Sequence, residues 1–366
     1  MHAHTPPSPA DIRKRFAEQR AAGGARHRDI ADTLGISEAQ LIAAHSVEAE
    51  VWVGDWPGLR ARRLRAEWPA IIESLEPLGE VMALTRNASC VHEKTGVYRK
   101  ASHNAHVGLV LGGEIDLRVF YQKWESGFAV QERTDKGLQQ SLQFFDAQGV
   151  AIHKIFLRPA SYELAWQQLV SRYAIDKVEA TLPVAARAAA VVEKPDGEID
   201  LAGFRAAWAA LQDTHHFFGL LREYGLTRTQ ALRLAEPRFA QQVELSAAHV
   251  LLSAAARSAV PIMVFVGNPG MIQIHSGVVK RIAVMGDWLN VLDEGFNLHL
   301  RQDHIAQAWV VKKPTADGEV SSLELFDAQG ESIAMFFGER KPGQPELASW
   351  RAILADLSSE SVSCAA

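Results

Sequence analysis

An internal duplication is the feature that most constrains the fold of this 366-residue chain. The segment SLQFFDAQG at residues 141–149 returns as SLELFDAQG at residues 322–330, 181 positions later. The same spacing relates Asn87 to Asn268. Because a chain of this length exceeds one compact core, a repeat of this kind predicts two similar units rather than one large domain.

Each copy follows the same order of elements: a helical start, a strand-rich middle and a closing helix. Segments such as IDLRVF and IMVFVG are rich in β-branched and aromatic residues, and short turns such as DAQG separate them. Consecutive strands joined by short turns favour antiparallel pairing. We therefore predict an α+β fold of two tandem, structurally similar halves, each a largely antiparallel sheet with flanking helices. The halves are residues 1–175 and 199–366, with a linker at 176–198.

Charge and cysteine content exclude several classes of protein. The net charge is −5, and the chain lacks the basic footprint of a nucleic-acid-binding protein. Its two cysteines, Cys90 and Cys364, cannot form a disulfide framework or a CxxCH site for covalent cofactor attachment. Its start lacks the apolar core of a signal peptide, and Arg257 and Pro261 interrupt the most apolar long stretch, so we expect no membrane span. A cytoplasmic location is expected.

His215 lies in an aromatic segment, FRAAWAALQDTHHFFGLL. One set of residues has helical spacing: Phe204, Trp208, Leu211, His215 and Phe218. This spacing predicts a single helical face, or else Asp213 and Thr214 cap a new helix that starts at His215. The following His216 lies about 100° away around a helix, so the two histidines cannot share one role.

Two interpretations of His215 remain open at this point. It is either a core histidine bonded to a backbone carbonyl or a neutral imidazole ligand set among aromatic rings. A single histidine among aromatic residues suits haem iron better than zinc, because zinc requires three or four protein ligands.

The strand predicted at residues 114–120 carries a second candidate group. Alternation places Asp116, Arg118 and Phe120 on one face of the strand. Arg118 and Phe120 could stack on a flat ligand and place a guanidinium over its centre. Alternatively, Asp116 and Arg118 form a surface ion pair.

His92 lies in the polar segment NASCVHEKTG, which predicts a loop or hairpin with His92 and Glu93 at the surface. In the second half, a cluster of acidic and histidine residues lacks the spacing of metal ligands on a helix face or a strand face: Glu294, His299, Asp303 and His304. We therefore predict no metal cluster there.

Several blocks of the sequence, in order, resemble the cytoplasmic hemin-degrading factor family, whose members are also described as haemin-utilisation or haem-trafficking proteins. The strongest blocks are GEVMALTRNASCVHEKTGVY, DLRVF, DTHHFFGLL, GLTRTQALRLA, IMVFVGN, AWVVKKPTADGEVSSLELFD and FFGERKPGQPELASW. The similarity runs through nearly the whole chain. It implies a non-covalently bound haem b between the two halves.

The resemblance also implies roles for individual residues. The family's proximal haem ligand corresponds to His215, and its distal arginine to Arg118 with Phe120 alongside. The histidine of the VHE motif, His92, corresponds to an alternative haem-docking site. His216 follows the proximal position and is implied as a ligand during haem transfer.

This sequence departs from the family pattern where some relatives hold the haem propionates. A Gln-x-Tyr pair followed by arginine is replaced by Met335 and Phe337, and only Arg340 remains. A basic residue of the early helix is Ser37. The substitutions predict weaker anchoring of the propionates, or anchoring at other basic residues, namely Lys313, Lys280 and Arg281.

The resemblance leaves two functions open. The first is a haem carrier in haem uptake and iron acquisition, which would pass haem to a downstream haem oxygenase and meet the cytoplasmic face of a haem importer. The second is a haem-cleaving oxygenase in its own right, which releases iron and a tetrapyrrole product and for which Arg118 would be the catalytic residue. The sequence contains no feature that separates them.

Overall fold

The computed structural model describes residues 7–23, 26–52, 58–104, 107–186, 192–340 and 343–363. Residues 187–191 of the predicted linker lie outside this part. The chain divides into two compact units. Unit 1 comprises Met1–Arg86, Glu93–Ala188 and Asn268–Gln273, and unit 2 comprises Asn87–His92, Ala189–Gly267 and Ile274–Ala366. Each unit therefore includes a six-residue segment from the far half of the sequence.

The first half of the chain contains six α-helices and nine strands among its described residues. They are α1 (Pro9–Gly23), α2 (His27–Leu34), α3 (Glu38–Ala44), α4 (Ala49–Trp52), β1 (Leu59–Arg63), α5 (Trp68–Glu73), β2 (Gly79–Arg86), β3 (Cys90–Gly96), β4 (Ala101–His103), β5 (Gly108–Leu111), β6 (Asp116–Val119), β7 (Ser126–Thr134), β8 (Gly137–Phe145), β9 (Ala151–Ser161) and α6 (Glu163–Tyr173).

The second half repeats this order with five helices and nine strands in the described residues. They are α7 (Leu201–Ala209), α8 (His216–Tyr224), α9 (Arg228–Leu234), β10 (Ala240–Val243), α10 (Ala247–Arg257), β11 (Ile262–Asn268), β12 (Met271–Gly277), β13 (Ile282–Met285), β14 (Trp288–Asp293), β15 (Phe296–Arg301), β16 (Gln307–Thr315), β17 (Gly318–Phe326), β18 (Ser332–Gly338) and α11 (Ala348–Ser363).

The eighteen strands form two antiparallel sheets of nine strands each. Within unit 1, β1, β7, β8, β9 and β2 are consecutive antiparallel neighbours, and β4, β5 and β6 form a second run. Within unit 2, the corresponding runs are β10, β16, β17, β18 and β11, and β13, β14 and β15. The predicted α+β fold of two similar, antiparallel halves is confirmed.

The repeated DAQG motif is explained by the turn that it forms in each unit. In unit 1, the Asp146 carboxylate accepts backbone N–H bonds from Gln148 and Val150, both at 2.9 Å, and Gly149 follows at φ +75°. In unit 2, Asp327 binds the equivalent N–H groups at 2.9 Å, and Gly330 has φ +77°. Glycine adopts such a positive φ without the strain that a Cβ atom causes. The carboxylate bonds explain why the aspartate recurs in both copies, and the positive φ explains why the glycine does.

Aromatic residues of α7 and α8 pack together in the core of unit 2. Phe204, Trp208 and Phe217 are buried together, and the rings of Trp208 and Phe217 are 4.6 Å apart in an edge-to-face arrangement. Burial of such side chains contributes roughly 1.5–3 kcal/mol each. This cluster fixes the position of the first turn of α8, which directly follows His215.

The helices in the described part of the chain all lack the length and apolar character that crossing a lipid bilayer requires.

Candidate functional site

The chain around His215 forms two helices, and the prediction of one continuous helical face is wrong. Helix α7 ends at Ala209, and α8 begins at His216 with His215 as its N-cap residue. The alternative prediction, in which Asp213 and Thr214 cap a new helix that begins at His215, describes the observed break to within one residue. Phe204 and Trp208 are buried, whereas 88% of the His215 side chain is exposed. His215 is therefore not a core histidine.

Asp213 holds His215 in place through both its backbone and its ring. One carboxylate oxygen, Oδ1, accepts the backbone N–H of His215 at 2.8 Å and lies 2.7 Å from its ring Nδ1. The hydrogen bond from the His215 backbone is the main reason why the pKa of Asp213 lies below its usual range. An ionised carboxylate only accepts hydrogen bonds, so this contact favours a proton on Nδ1, and in the neutral ring Nε2 then keeps its lone pair.

The surface next to His215 carries an aromatic ring and a cation. The side chain of Phe218 is 64% exposed, and the Arg222 guanidinium carbon lies 5.2 Å from the centre of its ring. His216 is also exposed, and its backbone N–H donates to the Asp213 carbonyl at 3.1 Å. Phe218 does not share a helical face with Phe204 and Trp208 as predicted, because after the break before α8 it is Phe217 that turns inward.

Strand β6 has the alternation that its sequence predicts. Ile115, Leu117 and Val119 are fully buried, whereas the opposite face is half-buried. Arg118 donates through Nη1 to the Asp116 carboxylate and, at 3.2 Å, to the Leu117 carbonyl. The ion pair predicted as one alternative is therefore present in unit 1.

Phe120 follows the end of β6 and is half-buried. Its backbone N–H donates to the Gly270 carbonyl at 3.0 Å, which belongs to the same unit. The backbone of the segment that carries Arg118 and Phe120 is thus fixed at both ends, by strand pairing with β5 and by this bond.

The predicted surface position of His92 is wrong, whereas the hairpin alternative holds, since β2 and β3 are neighbours in the sheet. His92 is a residue of β3 and is fully buried. Its ring lies 5.0 Å from the ring of Phe296, which in turn stacks on His275 at 3.8 Å. Cys90 and His92 occupy the inward positions of the strand, and the local sequence could not indicate this because both aromatic neighbours come from the other half of the chain.

Met335 and Phe337, which replace the propionate-binding pair of some relatives, lie in strand β18, and Arg340 follows the strand. Phe337 packs edge-to-face on Phe265 at 5.0 Å, and Met335 Sδ lies 3.5 Å from a guanidinium nitrogen of Arg228. Arg340 is 24% exposed and lies 3.7 Å from an Asp317 oxygen. Arg340 is therefore a partly exposed cation with a long ion-pair distance.

Three other basic residues were predicted as replacement anchors. Lys313 is buried and paired with Glu324 at 2.8 Å, so its charge is already neutralised. Lys280 and Arg281 are exposed and precede β13, where their backbone N–H groups donate to the Asp293 carboxylate, both at 2.8 Å. Of the three, only these two can meet an anion at the surface.

Ser37 has a structural role at the position where some relatives are basic. It is the N-cap of α3 and forms a capping box with Gln40. In unit 2, Thr227 caps α9 by accepting the backbone N–H of Gln230. Replacement of such caps by alanine typically costs about 1 kcal/mol.

A model of the haemin-degrading HemS.ChuX domain matches residues 35–173 and, again, residues 225–357. The chain belongs to this family. The Hemin transport protein HemS of Yersinia enterocolitica is 39% identical over 339 residues, which are 92% of this chain and 93% of HemS. The Hemin transport protein HmuS of Yersinia pestis is 37% identical over 352 residues, which are 95% of this chain and 97% of HmuS.

Solved structures of this family share the fold at high sequence identity. Holo-PhuS, a haem-binding protein from Pseudomonas aeruginosa, matches with a TM-score of 0.90 and 44% identity, over 96% of this chain and 99% of PhuS. ChuS, an E. coli haem oxygenase, matches with a TM-score of 0.82 and 37% identity, over 95% of this chain and 99% of ChuS.

The sequence analysis named Asp213 only as a helix cap and missed both its bond to the His215 ring and the neighbouring cation Arg222. A carboxylate two residues before the candidate ligand was a usable signal for Asp213, because aspartate commonly bonds to the backbone two residues further on. Arg222 was recognisable only as the residue four positions after Phe218 on one helix face.

Proposed function

We propose that this protein binds one haem b non-covalently, with Nε2 of His215 as the axial ligand of the iron, and that it acts in haem uptake and iron acquisition in the cytoplasm. The observation that carries the proposal is the exposed ring of His215, whose Nδ1 is held by Asp213. This leaves a neutral nitrogen, the usual donor to haem iron in proteins with a proximal histidine, directed away from its carboxylate.

The residues near His215 fit a flat aromatic ligand with two carboxylates. Phe218 offers an exposed ring within the same helix turn, and Arg222 adds a positive charge beside it. Arg340 is a further partly exposed cation of the same unit. We propose Arg340 as a propionate contact and His216 as a second ligand during transfer, because it is exposed and adjacent to His215.

We further propose that Arg118 and Phe120 contact the haem. An arginine remains charged at all accessible pH values, and Arg118 Nη1 already binds a carboxylate. It can therefore stabilise an anionic or water-derived sixth ligand by charge-assisted hydrogen bonding. Haem supplies the redox-active iron; the chain supplies the axial nitrogen, the aromatic contacts and the charge.

The first function that we propose is a carrier that passes haem from the cytoplasmic face of an importer to a downstream haem oxygenase. The relatives named hemin transport proteins support it. The second is a haem oxygenase with Arg118 as the catalytic residue, and the relative ChuS, named a haem oxygenase, favours it. The same haem site serves both functions.

Titration of the apo-protein with haemin tests the proposal. We expect the Soret band to saturate at one haem per chain, with the ferrous spectrum of a histidine ligand. Titration with zinc protoporphyrin provides a control for binding of the macrocycle without iron chemistry. A titration that never saturates, or a ferrous spectrum without a histidine ligand, would contradict the proposal.

A further inference from the structure

Asp213 makes three hydrogen bonds at the start of α8, and two of them end on His215. Its Oδ1 accepts the His215 backbone N–H at 2.8 Å and bonds to ring Nδ1 at 2.7 Å. Its backbone carbonyl accepts the His216 N–H at 3.1 Å. The single oxygen Oδ1 therefore holds both the backbone and the ring of His215.

We propose that Asp213 is the positioning residue for the haem ligand: it holds His215 in the tautomer with the proton on Nδ1 and makes Nε2 a stronger donor to iron. This inference rests on the proposed function, in which His215 binds the iron. Asp213 itself does not touch the haem in this scheme, and it acts only through His215.

The geometry leaves one tautomer for the neutral ring. A neutral imidazole has one N–H donor and one acceptor nitrogen. If Nε2 carried the proton, Nδ1 would place its lone pair 2.7 Å from a carboxylate oxygen, which is also an acceptor. That contact is repulsive, so the proton resides on Nδ1 and the Nε2 lone pair is available.

The exposure of His215 explains why it needs such a partner. With 88% of its side chain exposed, the ring has little packing to fix its rotamer or its tautomer. Binding of a ligand then requires ordering of the ring, which costs free energy. The carboxylate reduces this cost before haem arrives, and it adds negative charge behind the ring, which strengthens Nε2 as an electron donor to the iron.

Asp200 provides a matched control in the same unit. Its side chain also bonds to a backbone N–H at a helix start, that of Gly203 at 2.9 Å at the N-terminus of α7. Asp200→Asn therefore makes the same chemical change at a helix cap without altering the contact to His215.

The first experiment uses the apo-protein and needs no haem. Long-range ¹H–¹⁵N NMR correlation of the His215 ring, in mildly alkaline buffer, identifies which nitrogen carries the proton. We expect a protonated Nδ1 in the wild-type protein and in Asp200→Asn. We expect Asp213→Ala to shift the population toward the Nε2–H tautomer, and Asp213→Asn to do the same, because its amide can donate to Nδ1. A wild-type ring with the proton on Nε2 would overturn the proposal even if no variant folds.

The second experiment measures the ligand strength in the haem-loaded protein. We expect Asp213→Ala and Asp213→Asn to lower the ferrous iron–histidine stretching frequency in resonance Raman spectra and to weaken haem binding about 10- to 100-fold. Asp213→Glu should restore part of both losses, and Asp200→Asn should change neither.

His215→Ala separates the two ways of failing. If His215→Ala removes the iron–histidine band but the Asp213 variants keep the wild-type frequency, the role of Asp213 is wrong and the haem site stands. If the band survives in His215→Ala, the assignment of His215 itself is wrong.

Discussion

At the scale of single residues, the two adjacent histidines at the start of α8 differ in what holds them. Both side chains are exposed. The ring of His215 bonds to the Asp213 carboxylate, whereas His216 is tied to Asp213 through its backbone N–H. Because an ordered ring loses less entropy on binding, we expect His215 to be the better equilibrium ligand of the two.

The first prediction compares alanine variants at these two positions. His215→Ala should shift or broaden the Soret band and weaken haem affinity, while His216→Ala should keep the equilibrium spectrum and slow haem transfer to an acceptor. Absorbance titration and stopped-flow transfer to an apo-acceptor measure the two effects. The double variant shows whether one histidine replaces the other. An unchanged spectrum in His215→Ala, with loss in His216→Ala, would reverse the assignment.

Arg118 is the second residue whose role depends on its partner. It is paired with Asp116 on the half-buried face of β6. In the proposal its guanidinium also acts on the sixth position of the haem iron, and its planar fork suits that task better than an ammonium group.

The second prediction is that Arg118→Ala leaves the haem stoichiometry near one but changes the ferric spin-state balance and the pH of the alkaline transition. Arg118→Lys should restore these properties only in part. Asp116→Asn is the control, because it removes the partner but keeps the guanidinium. Electronic absorption spectra recorded across a pH titration provide the measurement. Wild-type behaviour of Arg118→Ala in both properties would leave Arg118 only as the ion-pair partner of Asp116.

At the scale of elements, strands β2 and β9 enclose a buried chain of hydrogen bonds around His153. The Tyr98 hydroxyl lies 2.6 Å from His153 Nε2, and Thr85 Oγ1 lies 2.8 Å from His153 Nδ1. Thr85 in turn donates to Gln273 at 2.8 Å. Burial lowers the pKa of His153 to about 3, so the ring is neutral in the folded protein at any ordinary pH.

The third prediction concerns stability in mild acid. The unfolded chain takes up a proton on this histidine near its ordinary pKa of about 6.5, whereas the folded protein does not. The unfolded state thus binds more protons below that pH, and the free energy of unfolding falls as the pH drops, by up to about 1.4 kcal/mol per pH unit for this group. His45, whose pKa burial lowers to about 4, adds to the same effect.

Urea unfolding at pH 7.5 and at pH 5.0 measures this loss. Histidines of the unfolded chain become protonated between about pH 7.5 and 5.0. Glu38 contributes only below that range, because Lys154 and Arg86 outweigh its burial and lower its pKa to about 2. His153→Gln should be less stable at pH 7.5 but lose less stability on acidification, whereas His249→Gln, on the exposed face of α10, should behave like wild type. An unchanged loss in His153→Gln would contradict the prediction.

Local pattern predicted some elements and failed at others for physical reasons. The alternation of β6 was readable because its buried residues, such as Leu117, are apolar and its partly exposed ones are not. The single helix through His215 was wrong because the Asp213 carboxylate binds the His215 N–H and starts a new helix. The burial of His92 depends on Phe296, more than 200 residues away in sequence, and local patterns do not report such contacts.

At the scale of the whole molecule, repeat-related residues keep their backbone role. The side-chain amide of Asn87 donates to the carbonyls of Gly267 and Ile333 at 3.1 and 2.8 Å. Its counterpart Asn268 donates to those of Arg86 and Ile152 at 3.0 and 2.8 Å. Asn87 directly follows β2 and Asn268 is the last residue of β11, each just before a tight turn, so the two halves share this pair of side-chain hydrogen bonds.

Charged residues have diverged between the halves. In unit 1, Glu38 at the start of α3 is paired with Lys154 and with Arg86 at 2.7 Å. In unit 2, the equivalent helix start carries Arg228, which is paired with Glu324 at 2.7 Å. The sign of the charge at this position is therefore reversed. The two units have a similar backbone but carry opposite charges at this equivalent position.

The last prediction separates a carrier from an oxygenase in the intact protein. We expect the haem-loaded protein to lose its Soret band slowly with ascorbate and to keep it when catalase is added, because hydrogen peroxide formed in solution then no longer reaches the haem. We also expect it to transfer haem directly to an added haem oxygenase. His215→Ala is the control for both measurements, since it should lose haem to any acceptor. A defined tetrapyrrole product that forms at the same rate with catalase present would establish the oxygenase. Arg118→Ala would then show whether its guanidinium is catalytic, because removal of a preorganised charge typically lowers kcat by about 100- to 1,000-fold.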